Sequence, residues 1–191
     1  MRRIRSYRAG SLQHLGLLAG FTAIELMVVV SIVGILAALA APNFRTIVDN
    51  YRVRRATEDL ISTIYLARAE GIKRGGGVVL RKASAMGCSG ATRTEQWDCG
   101  WVVFVDSNGN KTIDPGEETI QAAPPAHGVS ITFTLRNALA SVDRWGQFSG
   151  AGAFGFVVRP SNNTLAASTT ALCMSSGGRL ATRKGVISCQ G

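Results

Sequence analysis

Histidine is almost absent from this chain, with two among 191 residues. There is also no CxxC pair and no Cys/His cluster, so the patterns that hold zinc are missing. One of the two histidines, His14, precedes Gly20; the other, His127, stands beside Pro124, Pro125 and Gly128 and reads as a loop residue. No Ser or Cys nucleophile is arranged around either, which argues against an enzyme. Internal repeats are missing as well. Acid is absent before Gly20, where Arg2, Arg3, Arg5 and Arg8 carry +4 of the formal charge of +9. The +5 left for residues 21–191 is a mild basic surplus and not by itself a nucleic-acid signature.

What the chain does have is an apolar run, "GFTAIELMVVVSIVGILAALAAP", residues 20–42. From Phe21 to Ala41 a helix would extend roughly 30 Å, the hydrocarbon thickness of a bilayer. The arginines before it favour a cytoplasmic N-terminus, although Arg45, Arg52, Arg54 and Arg55 lie just beyond the other end. Its one charge is Glu25, and a lone carboxylate in hydrocarbon costs about 2 kcal/mol or more. A secretory signal cut at Ala38-Leu39-Ala40 and an uncut membrane anchor both leave that charge unexplained. Cleavage between Gly20 and Phe21 explains it, because the freed α-amino group of one subunit can pair with Glu25 of its neighbour.

Gly20, Phe21, Thr22, Glu25, Leu26 and the apolar helix after them resemble the class III leader of type IV pilins and type II secretion pseudopilins. Pro42 matches the place where many pilin helices bend. The resemblance implies a prepilin peptidase that cuts after Gly20 and methylates Phe21. It also implies assembly through Glu25 and Pro42 into a helical filament of pilins or pseudopilins on an inner-membrane platform. The expected location is a single inner-membrane pass with the C-terminal domain in the periplasm, then a filament or its tip.

Beyond the run, Phe44, Ile47, Val48, Tyr51, Leu60, Ile61, Ile64 and Tyr65 recur at three and four, so an amphipathic helix continues to the glycines at 75–77. The period then changes to two. Strands are expected at Val78–Lys82, 100–106, 118–122, 129–135, 153–159, 165–174 and 180–189, with 83–98 and 136–152 as exposed loops. The expected fold is α+β: a long helix, transmembrane and then amphipathic, packed on a small antiparallel β body. The divisions are a leader at 1–20, an assembly helix at 21–42, its amphipathic continuation at 43–76 and a β-rich domain at 77–191.

Four cysteines follow the apolar run, an even number that favours disulfides in an oxidising compartment. Of three pairings, Cys88–Cys99 with Cys173–Cys189 is expected, since each pair brackets a short hairpin-like stretch.

Two segments carry candidate binding chemistry. In "DSNGNKTIDPGE", Asp106, Asn108, Asn110, Thr112, Asp114 and Glu117 fall at positions 1, 3, 5, 7, 9 and 12 of a calcium loop. Lys111 occupies position 6, where Gly normally makes the turn, and the plainer reading is a polar turn held by Asx hydrogen bonds, with no cofactor. The stretch resembles one common in the GspH/FimT branch of minor pilins and pseudopilins. In "CMSSGGRLATRKGVISCQ", a hairpin stapled by Cys173–Cys189 would present Arg179, Arg183 and Lys184, either as a solvated basic edge or as a DNA contact. Gly178 and Arg179 match the start of the Gly-Arg-x-Arg motif of DNA-binding FimT-like proteins, with the second Arg two positions late. The resemblance therefore implies a minor pilin or pseudopilin, with a pilus-tip DNA receptor as the alternative.

Overall fold

A computed structural model describes residues 20–83, 93–135, 138–149, 153–162 and 166–189. The chain divides into two compact units, Met1–Pro42 and Asn43–Gly191. Helix α1 (Ala23–Arg74) runs through both.

In the first unit, Thr22 caps the helix: its Oγ1 accepts the N–H of Glu25 at 3.3 Å. Thr22 and Glu25 thus have the spacing of a capping box, and the carboxylate lies in the first turn, where the helix dipole favours an anion. Phe21, Ile24, Leu26, Met27 and the large apolar residues that follow through Leu39 are exposed.

In the second unit, α1 buries Val53, Ala56, Leu60, Ile64 and Ala67 in a single core with two antiparallel sheets. Each of its larger side chains removed from water contributes about 1.5–3 kcal/mol. Phe44, Ile47, Tyr51 and Tyr65, expected on that stripe, are exposed instead. The buried face is read better from Ala56, Thr57, Thr63, Ala67 and Gly71, small residues that let the sheets approach. At Gly71 an added Cβ would lie 2.5 Å from Val142 Cγ1. Helix α1 ends at Gly75, Gly76 and Gly77, all at positive φ, with the N–H of Gly76 closing back on the Gly71 carbonyl at 2.8 Å.

The first sheet has the order β3-β2-β1-β5-β6, from β1 (Val78–Lys82), β2 (Trp101–Val105), β3 (Thr119–Ala123), β5 (Leu139–Val142) and β6 (Phe148–Ser149). The second is β4-β7-β8-β9, from β4 (Val129–Phe133), β7 (Phe154–Pro160), β8 (Thr170–Met174) and β9 (Leu180–Lys184). Five aromatic rings, Trp97, Phe133, Phe148, Phe154 and Phe156, pack together between the elements.

Three expectations are corrected here. Strands β5 and β6 occupy part of the 136–152 region read as loop, with β5 paired to β1 and Ala140 and Val142 buried in the core. Trp97 belongs to the core and not to an exposed loop: its side chain is fully buried and its backbone N–H donates to the Ile131 carbonyl at 2.8 Å. The last strand stops at Lys184, where Gly185 turns at φ 70 and its N–H donates to the Thr169 carbonyl.

The Cys173–Cys189 disulfide is formed and the stretch it brackets holds the β8–β9 turn, with Cys189 lying past the end of β9. It pins the C-terminal segment back across the outer face of the second sheet. Cys189 Sγ lies where a Cβ on Gly155 would be only 2.4 Å away, and Val157 and Ala171 on the same face are buried. Cys99 is also disulfide-bonded, while Cys88 falls outside the described residues.

Candidate functional site

Gly20 and Phe21 lie at the start of the described chain, exposed and ahead of the Thr22 cap. Glu25 is exposed and displays its carboxylate among apolar neighbours. Pro42 falls inside the range of α1. Among the described residues no single helix is long and apolar enough to cross a membrane; Ala23–Leu39 and Phe44–Arg74 pass only together, by length and composition.

Loop 106–117 leaves β2 and is closed by its own side chains. Asp106 Oδ2 accepts the N–H of Lys111 at 3.0 Å, which holds Lys111 at φ 61, the left-handed turn expected of a glycine. Asn108 Oδ1 and Asn110 Oδ1 accept the N–H groups two residues on, as Asx turns do. The amide nitrogens of both asparagines donate to Asp114 Oδ2, at 2.8 and 2.6 Å, and hold the Asp114 carboxyl below its ordinary range. Glu117 spans the base of the loop, accepting from the N–H groups of Ser107 and Asp114. Thr112 gives its hydroxyl to Asn110. Asp106 Oδ1 is enclosed without a partner. Among the described residues no group of three or more His, Cys, Asp or Glu side chains comes together as a metal site. The arrangement is that of a self-closed turn.

The basic hairpin is differently built from the sequence expectation. Its turn, Ser175–Gly178, presents Arg179 alone; Arg183 lies four residues along β9, about 14 Å away. Arg179 and Arg183 share the outer face of the sheet with Cys173. Thr182 and Lys184 face the other way, into a groove of about 780 Å³ lined also by Tyr51, Arg54, Ile61 and Ser168. All three cations are exposed, and none forms an ion pair among the described residues.

Two residues that sequence reading missed organise the end of the domain where α1 finishes. Arg68 Nε donates to the Gly146 carbonyl at 2.9 Å, and its Nη1 donates to the Gly178 carbonyl at 2.8 Å. One guanidinium therefore ties the β5–β6 turn to the β8–β9 turn. The signal for it was its place at i+4 from Ile64, on the buried side of the helix. Beside Gly146 stands Trp145, exposed at the tip of the β5–β6 turn. Asp143 Oδ1 fixes that turn by accepting the N–H groups of Trp145 and Gln147, each at 2.8 Å.

A family model described as "Type II transport protein GspH" matches residues 56–180. The chain is 31% identical over 172 residues to the pilin-like protein PilA1 of Thermus thermophilus, covering 90% of this chain and 94% of that one. It is 30% identical over 130 residues to a fimbrial protein of Pseudomonas aeruginosa, covering 65% of this chain and 78% of that one. In structure it is similar to the type IV minor pilin FimU of Pseudomonas aeruginosa, with a TM-score of 0.55 and 12% identity over 70% of this chain and 89% of that one. At that identity the likeness speaks for the fold.

Proposed function

The chain belongs to the GspH family of pilin-like proteins, and on that footing we propose that it is a filament subunit, cut after Gly20 by a prepilin peptidase, methylated on Phe21 and assembled into a type IV pilus or a type II secretion pseudopilus. The observation that carries this reading is the exposed apolar run from Phe21 to Leu39 around a single carboxylate. A helix apolar all round needs lipid or other helices as its surroundings. Both are supplied in turn, by an inner-membrane crossing before assembly and by neighbouring subunits after it. Glu25 then has two roles: its charge suits the first turn of its own helix, and it pairs with the Phe21 amine of the next subunit. A periplasmic location for the second unit is supported by its formed disulfide.

Incorporation of the Glu25→Gln chain into filaments is the test. Loss of incorporation with an unchanged domain melting temperature is expected, and full incorporation overturns the pairing. Mass spectrometry of the mature protein should find an N-methylated Phe21 at the start; a start at Ala41 or Pro42 would instead identify a secretory signal. Deleting the gene separates the two machines, through loss of pili or loss of secreted protein.

A second reading, DNA binding through the β8–β9 hairpin, is favoured by the exposed Arg179 and Arg183 on one sheet face without ion-pair partners among the described residues. Retardation of DNA should fall steeply with salt and weaken in the Arg179→Ala, Arg183→Ala double variant.

A further inference from the structure

Trp145 is 75% exposed, while the chain's other two tryptophans, Trp97 at 0% and Trp101 at 2%, are in the core. An indole is the costliest side chain to leave in water, and this one is held there by a turn with little freedom. The backbone N–H of Trp145 is fixed to Asp143 Oδ1, and Gly146 packs so closely on α1 that an added Cβ would stand 2.9 Å from Ile72 Cδ1. Arg144 precedes it, exposed. The Arg68 bridge brings Gly178, and therefore Arg179, alongside: the carbonyls of Gly146 and Gly178 both lie within 2.9 Å of the same guanidinium. Neither Arg144 nor Arg179 forms an ion pair among the described residues.

The result is an exposed indole next in sequence to Arg144, on a turn that Arg68 ties to the turn preceding Arg179, with neither guanidinium in an ion pair among the described residues. Covering that surface with an apolar partner would desolvate both cations without a counterion, which is costly. A chain that alternates flat aromatic rings with anions satisfies all three groups together. We infer that this surface is a stacking platform for single-stranded nucleic acid, with a base lying on Trp145 and backbone phosphates on Arg144 and Arg179. The inference rests on the DNA reading of the same hairpin and adds to it the residue that grips the base and the preference for an unpaired strand. Arg68 acts here as a positioning residue, since it touches neither base nor phosphate.

The experiment titrates the full chain, in detergent micelles at low salt, with short oligothymidylate and with duplex of the same length. Because the other two indoles are buried, quenching of exposed tryptophan emission reports Trp145. Expected are quenching by the single strand, tighter binding of it than of duplex, and about tenfold weaker binding in Trp145→Ala, largely restored in Trp145→Phe. An unchanged melting temperature in both variants separates lost stacking from lost fold. Binding that needs Arg179 and Arg183 but neither quenches the indole nor responds to Trp145→Ala overturns the platform and leaves the hairpin reading standing. No retention of either nucleic acid overturns both. If Trp145→Ala leaves oligonucleotide binding intact and instead blocks entry into filaments, the platform is overturned in favour of a contact between subunits.

Discussion

Cys189 sits directly on Gly155: a single methyl group added to Gly155 would come within 2.4 Å of the Cys189 sulfur and 2.3 Å of the Leu172 carbonyl oxygen. The C-terminal segment is thus fitted against bare backbone in the middle of the second sheet. Gly155→Ala is expected to destabilise the domain by about 1–3 kcal/mol through overpacking. Thermal unfolding of the oxidised protein checks this. A melting temperature equal to wild type would mean that the segment does not rest on β7.

Arg68 donates to two carbonyls, one from a turn of each sheet, and its neutral replacement leaves both short of a donor in a partly buried place. Arg68→Met should cost about 2 kcal/mol, the range of hydrogen bonds to a charged group. Amide exchange should quicken in the turns at 143–147 and 175–179 while β1 and β2 keep their protection. Uniform loosening of the whole domain would show that the bridge has no local role.

Arg74 holds Glu118 in a two-pronged pair, Nη1 to Oε2 at 2.8 Å and Nη2 to Oε1 at 2.7 Å, and holds Glu70 through Nε at 2.7 Å. Hydrogen bonds from Arg74 keep both carboxyls below their ordinary range. A carboxyl depressed in the folded state stabilises it above the unfolded value, about 4.3, and that stability is lost as pH falls through the folded value. Asp98 works the other way: burial raises its carboxyl, so its ionisation favours the unfolded chain and its protonation at low pH favours the folded one. Melting temperature should therefore drop between about pH 5 and pH 3. Arg74→Gln should flatten the drop. Asp98→Asn, which keeps an acceptor for the Ile131 N–H, should steepen it.

Loop 106–117 already spends Asn108, Asn110, Asp114 and Glu117 on one another and on its own backbone. Calorimetric titration of the chain with calcium is expected to give no saturable heat up to millimolar metal. Saturable binding abolished by Asp106→Asn would overturn the self-closed turn and restore the calcium loop.

The exposed apolar stretch of α1 and the change from helix to strand at Gly75–Gly77 were legible because each rests on local chemistry: an apolar run with one carboxylate, and three consecutive glycines. The Thr22 cap on the Glu25 N–H is equally local. What escaped were places where two remote backbones come unusually close. Gly71 and Gly155 leave room for Val142 and Cys189, a demand set by a remote partner that no local pattern displays. The stripe of α1 was misassigned at Phe44, Ile47 and Tyr51 for a related reason, since large apolar residues drew the face that small ones occupy. Cys173–Cys189 was paired correctly from spacing, yet spacing could not reveal that the segment between them turns at Gly185 and doubles back. Trp145 stood in plain view in a polar turn, and only the Arg68 bridge supplies its neighbours.

The three glycines that end α1 deliver the chain straight into β1, the middle strand of the first sheet, which is bonded to β2 on one side and β5 on the other. Tension pulled along α1 therefore enters the sheet at its centre and loads two ladders at once in shear, where an edge strand would have peeled away rung by rung.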